Sequence, residues 1–334
     1  MSSVRQVTVA VDAVGGDHAP SEILAGVALA LAEDPALQVL LTGPAEVVEP
    51  FCTTHAGRAI AVATTEIIEM GEHPANAVRS KKDSSIVVGS RLVKEGRAEA
   101  FFSAGSTGAC MAAATLVIGR IKGVNRPAIA TVVPTAGPPC VLLDVGANAD
   151  CKPEHLLQFA HMGAAYASVV LGVRHPRIAL LNIGEEPAKG SVLAQEAYTL
   201  LSDNVAGFVG NVEGNDVLTG AADVIVTDGF TGNVALKLLE GTSRILLGQV
   251  KIAMTGNAVS TLAAAVLKPA MMRLKKRLDP DTYGGAPLLG IDGISIIGHG
   301  SSNARAVANA LRVAASAARG GLTETIAAAV ASSN

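Results

Sequence analysis

Short, almost wholly apolar runs recur along the chain, each ending in glycine or a polar residue. They read VTVAVDA at 7–13, LQVLLTG at 37–43, IAVATTE at 60–66, AFFSAG at 100–105, IATVVP at 129–134 and VLLDVG at 141–146. IALLNIG at 178–184, VIVTDG at 224–229 and ISIIGHG at 294–300 complete the series. Runs this short with little polar alternation suit strands covered on both faces. Ala-rich helical stretches lie between them at 20–33, 84–96, 108–118, 153–171, 191–202 and 232–266, and 304–330 reads as a closing helix pair. That alternation dictates a layered α/β fold on a mainly parallel sheet. No Pro/Gly/Ser-rich linker interrupts it, so residues 1–334 are expected to form one domain, with 250–278 a protruding amphipathic arm within it.

The core of such a fold must be aliphatic here, because tryptophan is absent and aromatics are 3% of the chain. Apolar residues at 49% and a net charge of -3 exclude disorder. Neither a basic excess nor aromatic platforms mark a nucleic-acid binder. Cys52, Cys110, Cys140 and Cys151 form no CxxC pair and are too sparse for a disulfide framework. The first apolar run is too short for a secretory signal, and no unbroken apolar stretch reaches membrane-span length. A cytoplasmic protein is the expectation.

Polar motifs cluster where the strand runs end, and in open α/β sheets ligands bind beyond those ends. The first group holds Asp12, Gly15, Gly16, Asp17 and His18; the second holds Ser103, Gly105, Ser106, Thr107 and Gly108. Asp144, Gly146, Asn148 and Asp150 follow, then Asn182, Gly184, Glu185, Glu186 and Lys189. Asp228, Thr231, Gly232 and Asn233 form the fifth group, and His299, Ser301, Ser302 and Asn303 the last.

TDGFTGNVALKLLEG at 227–241 places a helix start after a strand, where free amides and the helix dipole suit a phosphate. The same Asp, Thr and Asn are equally ordinary caps. HGSSN at 299–303 repeats that grammar and adds His299 as a donor. SAGSTGA at 103–109 lacks the Lys of a Walker loop, GGD at 15–17 is no GxGxxG fingerprint, and no HExxH or GxSxG occurs. Asp12, Asp17, Asp144 and Asp150 are chemically able to hold Mg²⁺, though capping and turn roles are commoner. Without a nucleophile motif, direct attack by a bound substrate is simpler than a covalent intermediate.

In NIGEEPAKG at 182–190, Lys189 suits an anion or a polarised carbonyl, with Glu185 and Glu186 to orient it; a solvated charged loop is the alternative. VRSKKDSS at 78–85 concentrates Arg79, Lys81 and Lys82 in a chain with only 16% charged residues, which suits an acidic partner or a phosphate. Residues 252–267 carry no charge and include Ile252, Val259, Leu262, Val266 and Leu267; Lys268, Arg273, Lys275, Lys276 and Arg277 follow. Pro269 is expected to split this stretch into two helices. Apolar helices with a basic edge suit an anionic membrane surface, and equally a dimer-forming arm.

Together VDAVGGDHAP (11–20), VRSKKDSS (78–85), FFSAGSTGA (101–109), LLDVGANADCKPEHL (142–156) and NIGEEPAKG (182–190) resemble the bacterial phosphate acyltransferase (PlsX) family. GNVEGNDVLTGAADVIVTDGFTGNVALKLLEG (210–241), YGGAPLLGIDG (283–293) and HGSSNARA (299–306) extend the resemblance nearly end to end. Two departures stand out: Ser106 occupies a position where Asn is common, and Ser80 replaces a common basic residue. The resemblance implies a three-layer α/β/α sandwich like isocitrate and isopropylmalate dehydrogenases and phosphotransacetylases, forming a homodimer. It implies conversion of a long-chain acyl-[acyl-carrier-protein] and inorganic phosphate to acyl phosphate for phospholipid synthesis. Implied partners are the acyl carrier protein, a membrane touched peripherally and a downstream glycerol-3-phosphate acyltransferase. No nucleic acid, cofactor or metal is implied.

On that reading the amides of 105–108 and 231–233, with Asn233, Ser301 and Ser302, cradle phosphate. Lys189 and His299 meet the anion or the developing oxyanion, Asp228 orients one of them, and Arg79, Lys81 and Lys82 meet the carrier. A coenzyme A-dependent phosphotransacetylase or phosphotransbutyrylase shares the chemistry without needing the apolar arm. A nicotinamide-dependent dehydrogenase does not match the motifs. A non-enzymatic membrane scaffold has no use for so many anion-suited turns.

Overall fold

The computed structural model describes residues 5–278 and 280–332; the side chains at 258, 259, 262, 263, 275–278, 280 and 281 lie outside that description. The first half runs β1 (Val7–Asp12), α1 (Ser21–Glu33), β2 (Leu37–Gly43), α2 (Ala45–Thr54), β3 (Ala59–Ala63), α3 (Pro74–Ser80), α4 (Ser85–Lys94), β4 (Ala100–Ser103) and α5 (Thr107–Ala113). A π-helical turn at Ala114–Ile118 extends α5, before β5 (Ala128–Val133), β6 (Cys140–Leu143) and α6 (Pro153–Val170). Then follow β7 (Ile178–Leu181), α7 (Val192–Asn204), β8 (Phe208–Val212), β9 (Val224–Val226), α8 (Gly229–Thr255) and α9 (Ala258–Leu278). The chain ends with β10 (Ala286–Leu289), β11 (Ile294–Ile297), α10 (Ala304–Arg319) and α11 (Leu322–Ala331).

The eleven strands of the described residues form one sheet in the order β3-β2-β1-β4-β11-β10-β5-β6-β9-β7-β8. The strands alternate their side chains between two cores. Val9, Val11, Phe102, Val141 and Leu143 pack with α1, α6, α7, α10 and α11 on one face. Ala10, Phe101, Cys140 and Leu142 pack with α3, α4 and α5 on the other, joined by Leu236 and Leu239 of α8. Helix layers on both faces leave the strands apolar throughout, which is why the runs show no period-two pattern. The fold is a three-layer α/β/α sandwich.

The sheet is mainly parallel, as expected, in seven of its ten described pairings, but its antiparallel step was not foreseen, and the division of the arm at Pro269 needs correction. The sheet is mixed: β10 is antiparallel to both β11 and β5, and β5 is antiparallel to β6. Strands β1, β2, β3, β4 and β11 therefore run one way, while β6, β7, β8 and β9 run the other. Pro269 does not divide the arm; it lies inside α9, and the break falls at Gly256–Asn257. An Asn257 Oδ1 bond to the Ser260 amide (2.9 Å) caps the new helix there. The arm is a hairpin in which α9 packs on α8.

Candidate active site

The loops after β1, β4 and β11 form one polar group. Asp12 is buried, at 1% exposure, with Oδ2 accepting from Ser103 Oγ (2.7 Å) and Oδ1 from the Val14 amide (3.1 Å). Burial raises its pKa, opposed by hydrogen bonds from Ser103, Ser85 and the Val14 and Gly15 amides. Ser103 Oγ also accepts the Gly105 amide (3.0 Å), so Asp12 braces two loops and does not face solvent. Gly15 and Gly105 lie so close that a Cβ on Gly15 would meet the Gly105 nitrogen at 2.8 Å. Ser106 caps α5, its Oγ 3.4 Å from the Ala109 amide, while Thr107 is exposed and Gly108 half-buried on the next turn.

The Asp17 amide donates to the Gly300 carbonyl (2.7 Å) and ties in the third loop. Its exposed carboxylate lies over Gly300, and Gly16 (φ +113°) lets the chain pass beneath. His299 is exposed. Its Nδ1 accepts the Ser301 amide at 3.3 Å and lies 2.8 Å from Ser301 Oγ. An amide only donates, so the neutral ring carries its proton on Nε2, which makes Nε2–H the outward donor. Ser302 is buried, and Asn303 caps α10 by accepting the Arg305 and Ala306 amides.

A second group follows β6 and β9. Asp144 is fully buried, with Oδ1 taking the amides of Ile129, Gly146 and Ala147 at 2.9–3.1 Å. Oδ2 takes the Asn148 amide (2.7 Å) and Asn148 Nδ2 (2.9 Å). Burial still leaves its pKa raised. The Asn148 carbonyl receives the Gly229 amide (2.8 Å), which seats the start of α8. A Cβ on Gly232 would run into the Asp144 carbonyl oxygen. Asn233 is exposed beside Gly146.

At the expected cradle the amides of Thr231 and Gly232 already have partners within the chain. Asp228 caps α8, with Oδ1 on the Thr231 amide (2.9 Å) and Oδ2 on Thr231 Oγ1 (2.8 Å). The Gly232 amide bonds the Asp228 carbonyl (3.0 Å). The chain's own oxygens occupy those donors, and a carboxylate already complements the helix dipole. The carboxylates of Asp12 and Asp144 are likewise buried under protein donors and brace their loops. Among the described residues no three His, Cys, Asp or Glu side chains gather as a metal site requires.

The 182–190 loop follows β7, next to β9. Lys189 is exposed, and its ammonium has no hydrogen bond or ion pair among the described residues. Asn182 turns inward to bond the Lys189 carbonyl (3.1 Å), and Glu185 is exposed. Asn211 and Gln195, absent from the sequence candidates, hold the same loop: Asn211 Nδ2 reaches the Glu186 carbonyl (3.0 Å) and Gln195 Nε2 the Ala188 carbonyl (3.0 Å). Asn211 lay inside the GNVEGND motif but carried no local signal, since its partner is 25 residues away.

The two groups follow strands of opposite direction, which a flat sheet would place at opposite edges. Arg79 and Lys82 are exposed, Arg79 on α3, which packs against α5. Lys81 differs from them: its ammonium pairs with Glu72 (2.6 Å) and the Ile67 carbonyl (2.7 Å) and holds Glu72 below the usual carboxylate range. On the arm, Ile252, Val266, Leu267 and Lys268 are exposed, while the side chains of Val259 and Leu262 are outside the described residues. No described helix is long and apolar enough to cross a membrane.

The family model described as "Fatty acid synthesis protein" matches residues 7–325. A phosphate acyltransferase of Heliobacterium modesticaldum is 54% identical over 310 residues, 92% of each chain. One from Desulfitobacterium hafniense (strain DSM 10664 / DCB-2) is 52% identical over 321 residues, 95% of this chain and 96% of its own. Among solved structures, a phosphotransacetylase from Streptococcus pyogenes superposes with a TM-score of 0.62 at 16% identity, covering 94% of both chains. A branched-chain phosphotransacylase from Enterococcus faecalis V583 gives 0.60 at 18% identity, covering 94% of this chain and 99% of the other. These structural likenesses speak to the fold alone.

Proposed function

The chain belongs to the phosphate acyltransferase family and is an acyltransferase acting with phosphate, and from that premise we propose that it converts long-chain acyl-[acyl-carrier-protein] and inorganic phosphate to acyl phosphate for phospholipid synthesis. An oxygen of HPO₄²⁻ attacks the thioester carbonyl, the C–S bond breaks as the tetrahedral intermediate collapses, and the phosphate proton leaves with the carrier's thiol. Phosphate near neutral pH already carries a nucleophilic oxygen, so the protein's task is placement and charge stabilisation.

The observation that carries the site assignment is the uncommitted ammonium of Lys189 on a loop pinned by neighbouring carboxamides. It neutralises the phosphate or the developing oxyanion. His299 Nε2–H supplies a further donor, and Thr107, Asn233 and Ser301 offer polar groups on exposed turns. Asp12, Asp144 and Asp228 hold these turns in place. Arg79 and Lys82 receive the acidic carrier.

The arm supports the remaining partners. Phe230, Leu238, Ile245 and Ile252 are 63–69% exposed along α8, more apolar surface than a lone helix keeps in water. A second copy of the chain covers part of that face in a homodimer. Val266, Leu267 and Met272, edged by Lys268 and Arg273, reach an anionic bilayer surface and place the product beside the acyltransferase that consumes it.

The deciding experiment traps acyl phosphate as its hydroxamate, with palmitoyl-carrier protein and acetyl-CoA as alternative donors. Product from the carrier-bound chain is expected. Product from acetyl-CoA alone would move the protein to the short-chain phosphotransacylases. Lys189→Ala should remove most turnover at saturating phosphate, and unchanged turnover would reject that assignment.

A further inference from the structure

Carboxamide side chains from separate elements converge on the backbone at Lys189. Asn182, at the end of β7, donates from Nδ2 to the Lys189 carbonyl (3.1 Å) and accepts the Ile183 amide on Oδ1 (2.9 Å). Gln195, in the first turn of α7, donates from Nε2 to the carbonyls of Ala188 (3.0 Å) and Gly190 (3.2 Å). Asn211, on β8, donates from Nδ2 to the carbonyls of Glu186 (3.0 Å) and Glu185 (3.5 Å). The Glu186 carbonyl also takes the Lys189 amide (3.1 Å), which links the Asn211 bond directly to the lysine's own backbone.

The loop is therefore gripped at 186, 188, 189 and 190, on both sides of Lys189. Gly190 (φ +87°) completes the grip, because only a residue without Cβ passes so close to Asn182 Oδ1. The lysine's ammonium, by contrast, has no partner among the described residues. A four-carbon stem with many rotamers reaches one point reproducibly only if its root does not move.

A merely structural pin would explain Gln195, which is exposed, but it explains Asn211 poorly. Asn211 is 7% exposed, and its Oδ1 is buried with no hydrogen-bond partner. A buried amide oxygen without a donor weakens the fold, and an apolar residue of similar shape would avoid that cost. Keeping Asn there favours the work of its other end, the two bonds to the Lys189 loop.

We propose that Asn211 and Gln195, together with Asn182, are positioning residues for Lys189, fixing its backbone so that the ammonium meets the phosphoryl oxygens or the thioester oxyanion. This rests on Lys189 being the anion-binding cation of the acyl-transfer site. None of the three carboxamides touches substrate; each acts through the lysine.

The test is a double-mutant cycle on the full chain with inorganic phosphate and an acyl-carrier donor. Asn211→Leu and Gln195→Ala are made alone and in a Lys189→Ala background, and kcat, KM for phosphate and melting temperature are read for each. In the wild-type background either substitution should lower kcat/KM for phosphate by about tenfold or more. In the Lys189→Ala background neither should lower the residual rate further. Asn211→Leu should melt at or above the wild-type temperature, which a structural pin would not allow. Gln195 lies outside the core, so its variant keeps the test alive if Asn211→Leu fails to fold.

Wild-type kinetics in both single variants would overturn the proposal, and so would equal losses with and without Lys189. Wild-type turnover in Lys189→Ala alone would instead strike down the anion reading and the clamp with it. A separate result, an inactive Lys189→Ala with inert clamp variants, would spare the lysine and reject only the clamp.

Discussion

Asp144→Asn tests whether a buried carboxylate holds the start of α8. The substitution preserves shape and keeps one oxygen for the amides of Ile129, Gly146 and Ala147. The other oxygen becomes an NH₂ that faces the Asn148 amide and side-chain nitrogen, which Asp144 Oδ2 contacts at 2.7 and 2.9 Å. Donor then meets donor, and two bonds to a charged acceptor are lost at ~1.5–3 kcal/mol each. Removing the buried charge returns part of this, since burial is the largest influence on that carboxyl. A net loss of ~3 kcal/mol remains. Unfolding entropy near 2.1 cal/mol/K per residue gives ~0.7 kcal/mol/K for 334 residues, so the melting point should fall by ~4 °C. Asp144→Ala, which orphans every donor, should fall further. Calorimetry measures the shift, and turnover should drop with it because the Asn148 carbonyl seats Gly229. A change within ~1 °C for Asn, or a milder effect for Ala than for Asn, would refute the brace.

Two further outcomes follow from burial and close approach. Burial pushes the thiols of Cys110 and Cys140 up to about 12, from an ordinary value near 9. An acid whose pKa is higher folded than unfolded keeps its proton longer in the fold, so stability is intact below pH 9 and lost as pH rises toward 12. Each thiol removes ~1.4 kcal/mol per pH unit in that window, or ~4 kcal/mol for both at pH 10.5. A Cys110→Ala/Cys140→Ala variant should therefore show a flatter alkaline limb in melting temperature, and an equally steep limb would reject the account. Gly232→Ala sets a Cβ against the Asp144 carbonyl and Thr227 Cγ2, a clash of the new methyl with rigid backbone that costs ~1–3 kcal/mol and displaces Asn233. Reduced phosphate-dependent turnover and a lower melting point are expected; wild-type values for both would mean the helix start has slack.

Much of the architecture was legible because covered strands have a sequence signature that survives without context. Every apolar run named in the sequence overlaps a strand. The two strands that escaped notice lack that signature. Phe208–Val212 is interrupted by Gly210 and Asn211, and Ala286–Leu289 is only four residues long, contains Pro287 and is framed by glycines at 284, 285 and 290. The second omission had the larger effect, because β10 supplies the antiparallel step between β11 and β5. At the site, Asp, Thr and Asn at a helix start are the right chemistry for both an anion and a cap, and only coordinates show that Asp228 has taken the Thr231 amide. Gln195 and Asn211 were invisible for a different reason. Their meaning comes from the pairing of β8 with β7 and the return of α7 beside it, which no local pattern records.

The same first turn of α8 serves the site and the arm. Twenty-seven residues at 1.5 Å each make a rod of ~40 Å. Its base is seated by the Gly229 amide on Asn148, capped by Asp228 and pressed at Gly232 against the Asp144 carbonyl. On a rod that long, each degree of tilt at the base moves the tip by ~0.7 Å. The hairpin tip thus inherits its direction from a few atoms around Asp144. Gly232 is where the coupling is stiffest, because there the helix meets backbone with no side chain between to yield.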